Sequence, residues 1–341
     1  MEVSYVRRSV VLNCLISNSN KCDIVGTGGD SHNTFNISTT ASVMASSLLL
    51  IAKHGNRAST SKSGSADLLQ STKPKAPVLD NIDPSTLAAV YSQTNYAFLF
   101  APVFHPGMRY VAPIRKELGW RTIFNLLGPL SNPVDSGLSS NTLISTHEQD
   151  SLLEARVIGV ARRDLGPSFA EALRLSRARK AMVVCGDEEL DELSCAGPSH
   201  CWWLAKHQPN DKEPSVNYFQ LQPSDFGFPT HPLTDVRPGR EPAENAETFL
   251  RILEGDLAKD DPLMHFVLIN TAALFVVSGI CEANTSNMGP GDDGEVIAER
   301  GPGGGRWKEG VRRARWAIKS GAARGEWERF TAATHAVKHS V

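Results

Sequence analysis

The segment Cys22-Asp23-Ile24-Val25-Gly26-Thr27-Gly28-Gly29-Asp30 joins a short apolar run to a glycine-rich loop. A run of this kind is expected to be a buried strand. The glycines after it let the backbone turn sharply and come close to a ligand. Asn36-Ile37-Ser38-Thr39 and the small-residue run from Thr40 to Ser47 then predict a helix capped by Asn36 or Ser38. Free N–H groups and the positive end of the helix dipole would sit beside the loop, where a phosphate group binds well. Leu48 to Ala52 predicts a second strand that ends in Lys53-His54-Gly55-Asn56-Arg57. A polar loop from Ser59 to Ser65 follows, and Ala66-Asp67-Leu68-Leu69 starts another helix. Two consecutive βα units thus present Gly, Ser, Thr, Lys and Arg at strand ends, where open α/β sheets bind ligands. Taken alone, a glycine loop is also compatible with an ordinary turn and solvated charges.

The full pattern is far more specific: GTGGD at 26–30, Thr34, NIST at 36–39, KHGNR at 53–57 and SKSGSAD at 61–67. In order and spacing it resembles the anthranilate phosphoribosyltransferase family. The resemblance implies an α/β fold, a parallel-type sheet flanked by helices, with a small helical subdomain that is incomplete here. It implies transfer of the 5-phosphoribosyl group of 5-phosphoribosyl-1-pyrophosphate (PRPP) to the amine of anthranilate, with release of pyrophosphate, in tryptophan biosynthesis. Gly26, Gly29, Asp30, Thr34, Asn36, Ile37, Ser38, Thr39, Lys53, His54, Gly55, Asn56, Arg57, Ser61 and Ser65 would then hold PRPP. Gly26, Asn56, His105 and Arg115 would hold anthranilate, with Arg115 clamping its carboxylate. A guanidinium suits that task because its planar fork matches a carboxylate in two parallel hydrogen bonds. Read from the residues alone, Arg109, Arg115 and Lys116 are solvated surface charges.

Asp187 to Glu189 reads as a solvated acidic loop. Asp191-Glu192 falls where the family has its metal-binding acidic pair, so the resemblance implies Mg²⁺ held there, with Ser38 as a further ligand. Hard cations take oxygen ligands and bridge a few carboxylates to substrate phosphates. No general base is assigned, because the aromatic amine needs placement more than deprotonation. Two other classes stay open. One is a pyrimidine nucleoside phosphorylase, expected to differ at KHGNR and to lack the acidic pair; the other is a nucleic-acid binder of the same fold.

Composition is that of a globular enzyme, with 41% hydrophobic and 21% charged residues in 341. The formal charge of −2 gives no sign of a nucleic-acid partner. Cys14, Cys22, Cys185, Cys195, Cys201 and Cys281 form no CxxC pair. Buried reduced thiols in a reducing, cytoplasmic compartment are expected. Val10 to Ile16 is too short and interrupted to span a membrane. Relatives carry several helices before the glycine loop, which pack in the helical subdomain and in a homodimer contact. Residues 1–21 lack that pattern and are read as an unassigned leader, from a misplaced start rather than a true truncation.

Along the rest of the chain, 22–82 and 123–325 are assigned to the α/β domain and 83–122 to the helical subdomain. Residues 71–83 read as a linker, and Val111 to Leu118 as a helix. Val157–Val160, Ser168–Leu175 and Ala181–Cys185 alternate strand, helix, strand, which implies a parallel sheet. Residues 205–217, 229–245 and the glycine-rich 284–306 read as insertions, the last a flexible surface one. Pro262 to Ile280 predicts a buried helix, and Trp307 to Gly321 the final helix.

Overall fold

The computed structural model describes residues 21–58, 63–118, 122–136, 151–205 and 214–337. Residues 1–20 of the expected leader, Cys14, Ser61, the side chain of Arg115 and residues 206–213 lie outside that description.

From β1 (Lys21–Gly26) the chain passes through α1 (Ile37–Ala45), β2 (Leu50–Gly55), α2 (Ser65–Gln70), α3 (Leu87–Tyr91) and β3 (Tyr96–Phe100). Four short helices follow: α4 (Ala101–Phe104), α5 (Ala112–Leu118), α6 (Ile123–Leu127) and α7 (Pro133–Ser136). The second half holds β4 (Leu153–Gly159), α8 (Leu165–Leu175), β5 (Ala181–Gly186), β6 (Ser199–Ala205) and β7 (Ser215–Leu221). It closes with α9 (Pro242–Glu254), α10 (Pro262–Ser278), α11 (Trp307–Lys319) and α12 (Ala322–Ala336).

The strands form one seven-stranded sheet in the order β3-β2-β1-β4-β5-β6-β7. From β3 to β5 every neighbouring pair is parallel, whereas β6 and β7 add as an antiparallel hairpin. The expected parallel sheet is therefore mixed. Strand order reverses at β1, whose neighbours β2 and β4 lead off in opposite directions. That makes the C-terminal ends of β1 and β4 the switch point where α/β sheets open a crevice.

Side-chain alternation divides the core. Ala155, Val157, Met182 and Val184 face the main core with α10, while Ile158, Val160, Val183 and Cys185 face α8 and Trp202. α10 is apolar on all sides and buried almost throughout, as a helix enclosed by others must be. Asp261 caps it by accepting from Leu263 N–H at 2.8 Å. Among the described residues no helix is long and apolar enough to cross a membrane.

Several boundaries depart from expectation. Lys53, His54 and Gly55 belong to β2 rather than following it, because the charged side chain is itself buried in the sheet. β3 lies within the span assigned to the helical subdomain, yet it pairs with β2 at the sheet edge. β7 starts inside one expected insertion and α9 inside another. Trp307–Lys319 is not the last helix, since α12 follows directly. Gly321, left-handed at φ 74°, ends one helix and caps the next. Residues 284–306 are tied to α11: Arg312 pairs with Asp292 at 3.0 Å, and Glu309 accepts from Ile297 N–H at 3.0 Å.

Candidate active site

At the switch point Gly26 on β1 is in register with Gly159 on β4. Asp191 packs directly over both. A Cβ on Gly26 would lie 2.2 Å from Asp191 Oδ2, and one on Gly159 would lie 1.5 Å from the Asp191 carbonyl oxygen. Only glycine admits this carboxylate to the strand ends. Thr27 seals the floor, its N–H donating to Gly159 O at 2.9 Å and its hydroxyl accepting from Ala161 N–H at 3.1 Å. The loop then bends through Gly28 and Gly29, with φ of 70° and 72°. Ser31 and Asn33 are left-handed as well, a cost of about 1–3 kcal/mol each for non-glycine residues that the surroundings must sustain. Gly28 N–H donates to Asp191 Oδ2 at 2.6 Å.

Glu192 extends the contact to the first helix. Its Oε1 accepts from Ser38 N–H, in the first turn of α1, at 3.0 Å. Of the expected caps, Asn36 is the N-cap but makes no side-chain cap bond, and Ser38 lies inside the first turn. A carboxylate distant in sequence takes an amide of that first turn, which frees Asn36 to donate to Ser63 O at 2.9 Å and hold the second loop. Glu192 Oε2 is buried with no partner. Burial, then the charge of Asp30, lifts Asp191 to about 7, and burial, then Asp191, raises Glu192 well above its ordinary range. Lys53 lies at the floor, buried, and desolvation pulls it below the ordinary lysine range despite Asp23, Glu192 and Asp191 nearby. Behind the acidic pair, Asn270 of α10 grips the next residue on both sides. It accepts from Leu193 N–H at 3.1 Å and donates to Leu193 O at 3.0 Å.

Two raised carboxylates and an orphaned buried oxygen are what an acidic site looks like without a cation's charge. The donor set is all oxygen, which fits Mg²⁺. Among the described residues no group of three or more His, Cys, Asp or Glu side chains could hold a metal alone. The remaining ligands would come from Ser38, water or substrate phosphate.

The second βα unit closes the other wall. Asn56 O accepts from Ala66 N–H at 3.1 Å, and Thr39 Oγ1 donates to Ser65 Oγ at 2.7 Å. Asp67 collects Ala58 N–H, Gly64 N–H and Arg57, at 2.8, 3.0 and 3.3 Å. The cleft between these walls holds about 700 Å³. Beside it the His54 and His105 rings meet edge-on, centroids 5.0 Å apart. The Gly128 carbonyl lies beside His54 and that of Ser131 beside His105, while Nε2 of each ring has no partner. Burial, then His105, pushes His54 down to about 3, so the imidazole is neutral.

This geometry meets a known family. The model for the glycosyl transferase family, a/b domain, matches residues 18–324. An anthranilate phosphoribosyltransferase from Schizosaccharomyces pombe is 39% identical over 310 residues, 91% of this chain and 73% of that protein. The chain belongs to the anthranilate phosphoribosyltransferase family. It is a phosphoribosyl-transferring glycosyltransferase by that membership. The Saccharomyces cerevisiae anthranilate phosphoribosyltransferase in complex with PRPP and Mg superposes with a TM-score of 0.74 at 31% identity, covering 97% of this chain and 80% of that one. The anthranilate phosphoribosyltransferase of Thermus thermophilus gives 0.71 at 31% identity, covering 96% and 84%.

The residues expected from the family motifs gather at one place, with exceptions. Gly26, Gly29, Asp30, Thr34, Asn36, Ser38, Thr39, Lys53, His54, Gly55, Asn56, Arg57, Ser65, Asp191 and Glu192 all line the cleft. Ile37 does not: its side chain is fully buried in the main core. His105 sits behind the wall against His54, and Arg115 lies on α5. Thr27, Ser63 and Asn270 were not foreseen, and in sequence they look like any loop threonine, loop serine or helix asparagine.

Proposed function

We propose that the cleft binds PRPP along the glycine loop and α1, and anthranilate on the His105 side. The amine then attacks C1′ of the ribosyl group and pyrophosphate leaves, giving N-(5-phosphoribosyl)anthranilate. The observation that carries this reading is the buried Asp191–Glu192 pair, wedged against Gly26, the Gly28 amide and the Ser38 amide, with one oxygen unpartnered. The yeast relative has been solved in complex with PRPP and Mg, and also with 4-fluoroanthranilate.

In this reading Gly26, Gly29, Asp30, Thr34, Asn36, Ser38, Thr39 and Lys53 hold PRPP, with Ser63 and Ser65 bordering the same cleft. Loop amides and the α1 N-terminus offset the charge of the departing pyrophosphate. Ser38, Asp191 and Glu192 would hold Mg²⁺, which when bound neutralises the phosphates of the substrate and leaving group. Asn56, His105 and Arg115 place anthranilate. His54, neutral with its proton affinity suppressed, is unsuited to be a general base. Catalysis rests on placement of the two substrates and on charge stabilisation. A homodimer and a reducing, cytoplasmic setting complete the proposal; the five cysteines among the described residues are all free and buried.

Loss of anthranilate fluorescence on adding PRPP, with and without Mg²⁺, tests it. Mg²⁺-dependent consumption of anthranilate is the expected result. Phosphorolysis of thymidine or uridine without Mg²⁺, and no loss of anthranilate, would replace this reading by a nucleoside phosphorylase.

A further inference from the structure

One buried polar group lies beneath the cleft, near Lys53 at its floor, and ties that floor to the segment before β4. Asp23, in the middle of β1, is fully buried. Its Oδ2 accepts from Asn132 Nδ2 at 2.8 Å, and the same Nδ2 donates to Ala52 O on β2 at 2.9 Å. Asn132 Oδ1 in turn accepts from Val134 N–H at 3.0 Å, so this buried amide uses both ends. A second tie lies three residues on, where Asp135 pairs with buried Arg156 of β4 at 3.0 Å. The segment from Gly128 to Ser136 is thereby fixed to three neighbouring strands through their polar side chains and one carbonyl.

That segment brings the Gly128 carbonyl beside His54 and the Ser131 carbonyl beside His105, whose rings meet edge-on with centroids 5.0 Å apart. His54 follows Ala52 by two residues on the same strand. Asn132 therefore fixes the spacing between the strand that bears one ring and the turn that lies against both. Buried hydrogen bonds of this kind are costly to leave half-made, so the amide holds its geometry.

We propose that Asp23 and Asn132 are positioning residues for the aromatic-amine half of the cleft, an interstrand pin that sets the His54–His105 pair. The substrate assignment rests on the function proposed above; the pin itself does not. Removing it lets the 128–131 turn drift, and small displacements of binding groups cost about tenfold or more in a placed reaction.

The test reads the ring-nitrogen NMR signals of His54 and His105 together with both Michaelis constants. Asn132→Ala is expected to shift both ring signals and leave those of His200 and His265 in place. It is expected to raise the KM for anthranilate about tenfold, with the KM for PRPP within about twofold. Asp23→Ala should shift the same ring signals, whereas Asp23→Asn, which keeps an acceptor oxygen toward Asn132, should restore them; the Michaelis constants are read on the Asn132 variants, because Asp23 also neighbours Lys53. Should Asn132→Ala fail to fold, Asn132→Ser, too short to reach both Asp23 and Ala52, decides. A folded Asn132 variant with unmoved His54 and His105 signals overturns the pin, and so does an equal rise in both Michaelis constants for that variant. If the wild-type protein consumes no anthranilate, the proposed function fails and the ring signals alone decide the pin.

Discussion

The two halves of the cleft are built on different principles. The half proposed for PRPP is made of strand ends, glycine-loop amides, one helix N-terminus and a buried acidic pair, all locked by contacts of 2.6–3.0 Å such as those of Gly28 and Ser38 with Asp191 and Glu192. The side proposed for anthranilate adjoins the cleft behind His54 and hangs on short helices between β3 and β4, and these leave large apolar side chains in solvent: Tyr110, Ile114, Leu118, Ile123 and Leu127. The first half is pre-formed and charged. The second is held to the sheet through a few ties, Asn132 and Asp135 among them. Tight recognition of a diphosphate demands fixed dipoles, because charge stabilisation gains most from groups that need not reorganise. A flat aromatic acid asks mainly for a slot of the right width.

The sharpest way to break this contrast is at the acidic pair. Glu192→Gln keeps the acceptor for Ser38 N–H and removes the charge. Turnover in saturating Mg²⁺ is expected to fall about 10²–10³-fold, the usual effect of deleting one preorganised electrostatic contact. Equilibrium binding of anthranilate alone should be almost unchanged. If anthranilate binding fell as steeply as turnover, the two halves would not be separable.

Arg115→Ala addresses the other half. Loss of a bidentate carboxylate contact is worth about 1.5–3 kcal/mol, so the KM for anthranilate should rise about 10–100-fold while that for PRPP barely moves. Steady-state rates with each substrate varied in turn would measure this. Equal losses for both substrates would remove Arg115 from the anthranilate site.

How much of this was legible beforehand divides along the same line. Gly26–Asp30 and Lys53–Arg57 were readable because glycine and strand-end charges leave contiguous marks in a sequence, whereas Asp191-Glu192 stood apart from the neighbouring acidic loop only through the family resemblance. The partners across the fold were not. Glu192 contacts the first turn of α1 from 154 residues away, and nothing local to Asn36 signals that its side chain is used elsewhere. Asn270 is one polar residue in an otherwise apolar helical stretch, and nothing local marks it as the clamp on the residue after the acidic pair. β6 and β7 escaped notice because Trp202, Trp203, Tyr218 and Phe219 sit on both faces of the hairpin and blur its alternation. Gly321 resembled a helix stop and was also a helix start.

A smaller effect links the imidazole pair to stability. Burial, reinforced by His105 and Lys53, holds His54 at about 3 in the folded protein, below its ordinary 6.5. As pH falls through 6.5 the unfolded chain takes up the proton and the folded one does not. The unfolded state binds more protons across that window, so stability is lost progressively between pH 6.5 and about 3. At pH 5 the loss attributable to this ring is at most about 2 kcal/mol. His54→Gln, which keeps an amide donor for Gly128, should narrow the gap between urea midpoints at pH 7 and pH 5. An unchanged gap would mean that another group governs acid destabilisation.

The weakest expected effect tests the apolar surface of the aromatic half. Ile114 is 58% exposed and Ile51, on β2, is fully buried. Removing a core isoleucine costs about 2–5 kcal/mol, from lost transfer energy plus the cavity left behind. An exposed isoleucine has neither contribution, so Ile114→Ser should change the unfolding free energy by less than about 0.5 kcal/mol. The comparison with Ile51→Ala, by urea melts at two protein concentrations, turns on that difference. A loss at Ile114 that grows with concentration would mean that copies of the chain bury this face against each other, and that the aromatic half draws rigidity from a neighbour. A negligible loss at both concentrations would leave its few ties to the sheet as what holds the slot in place.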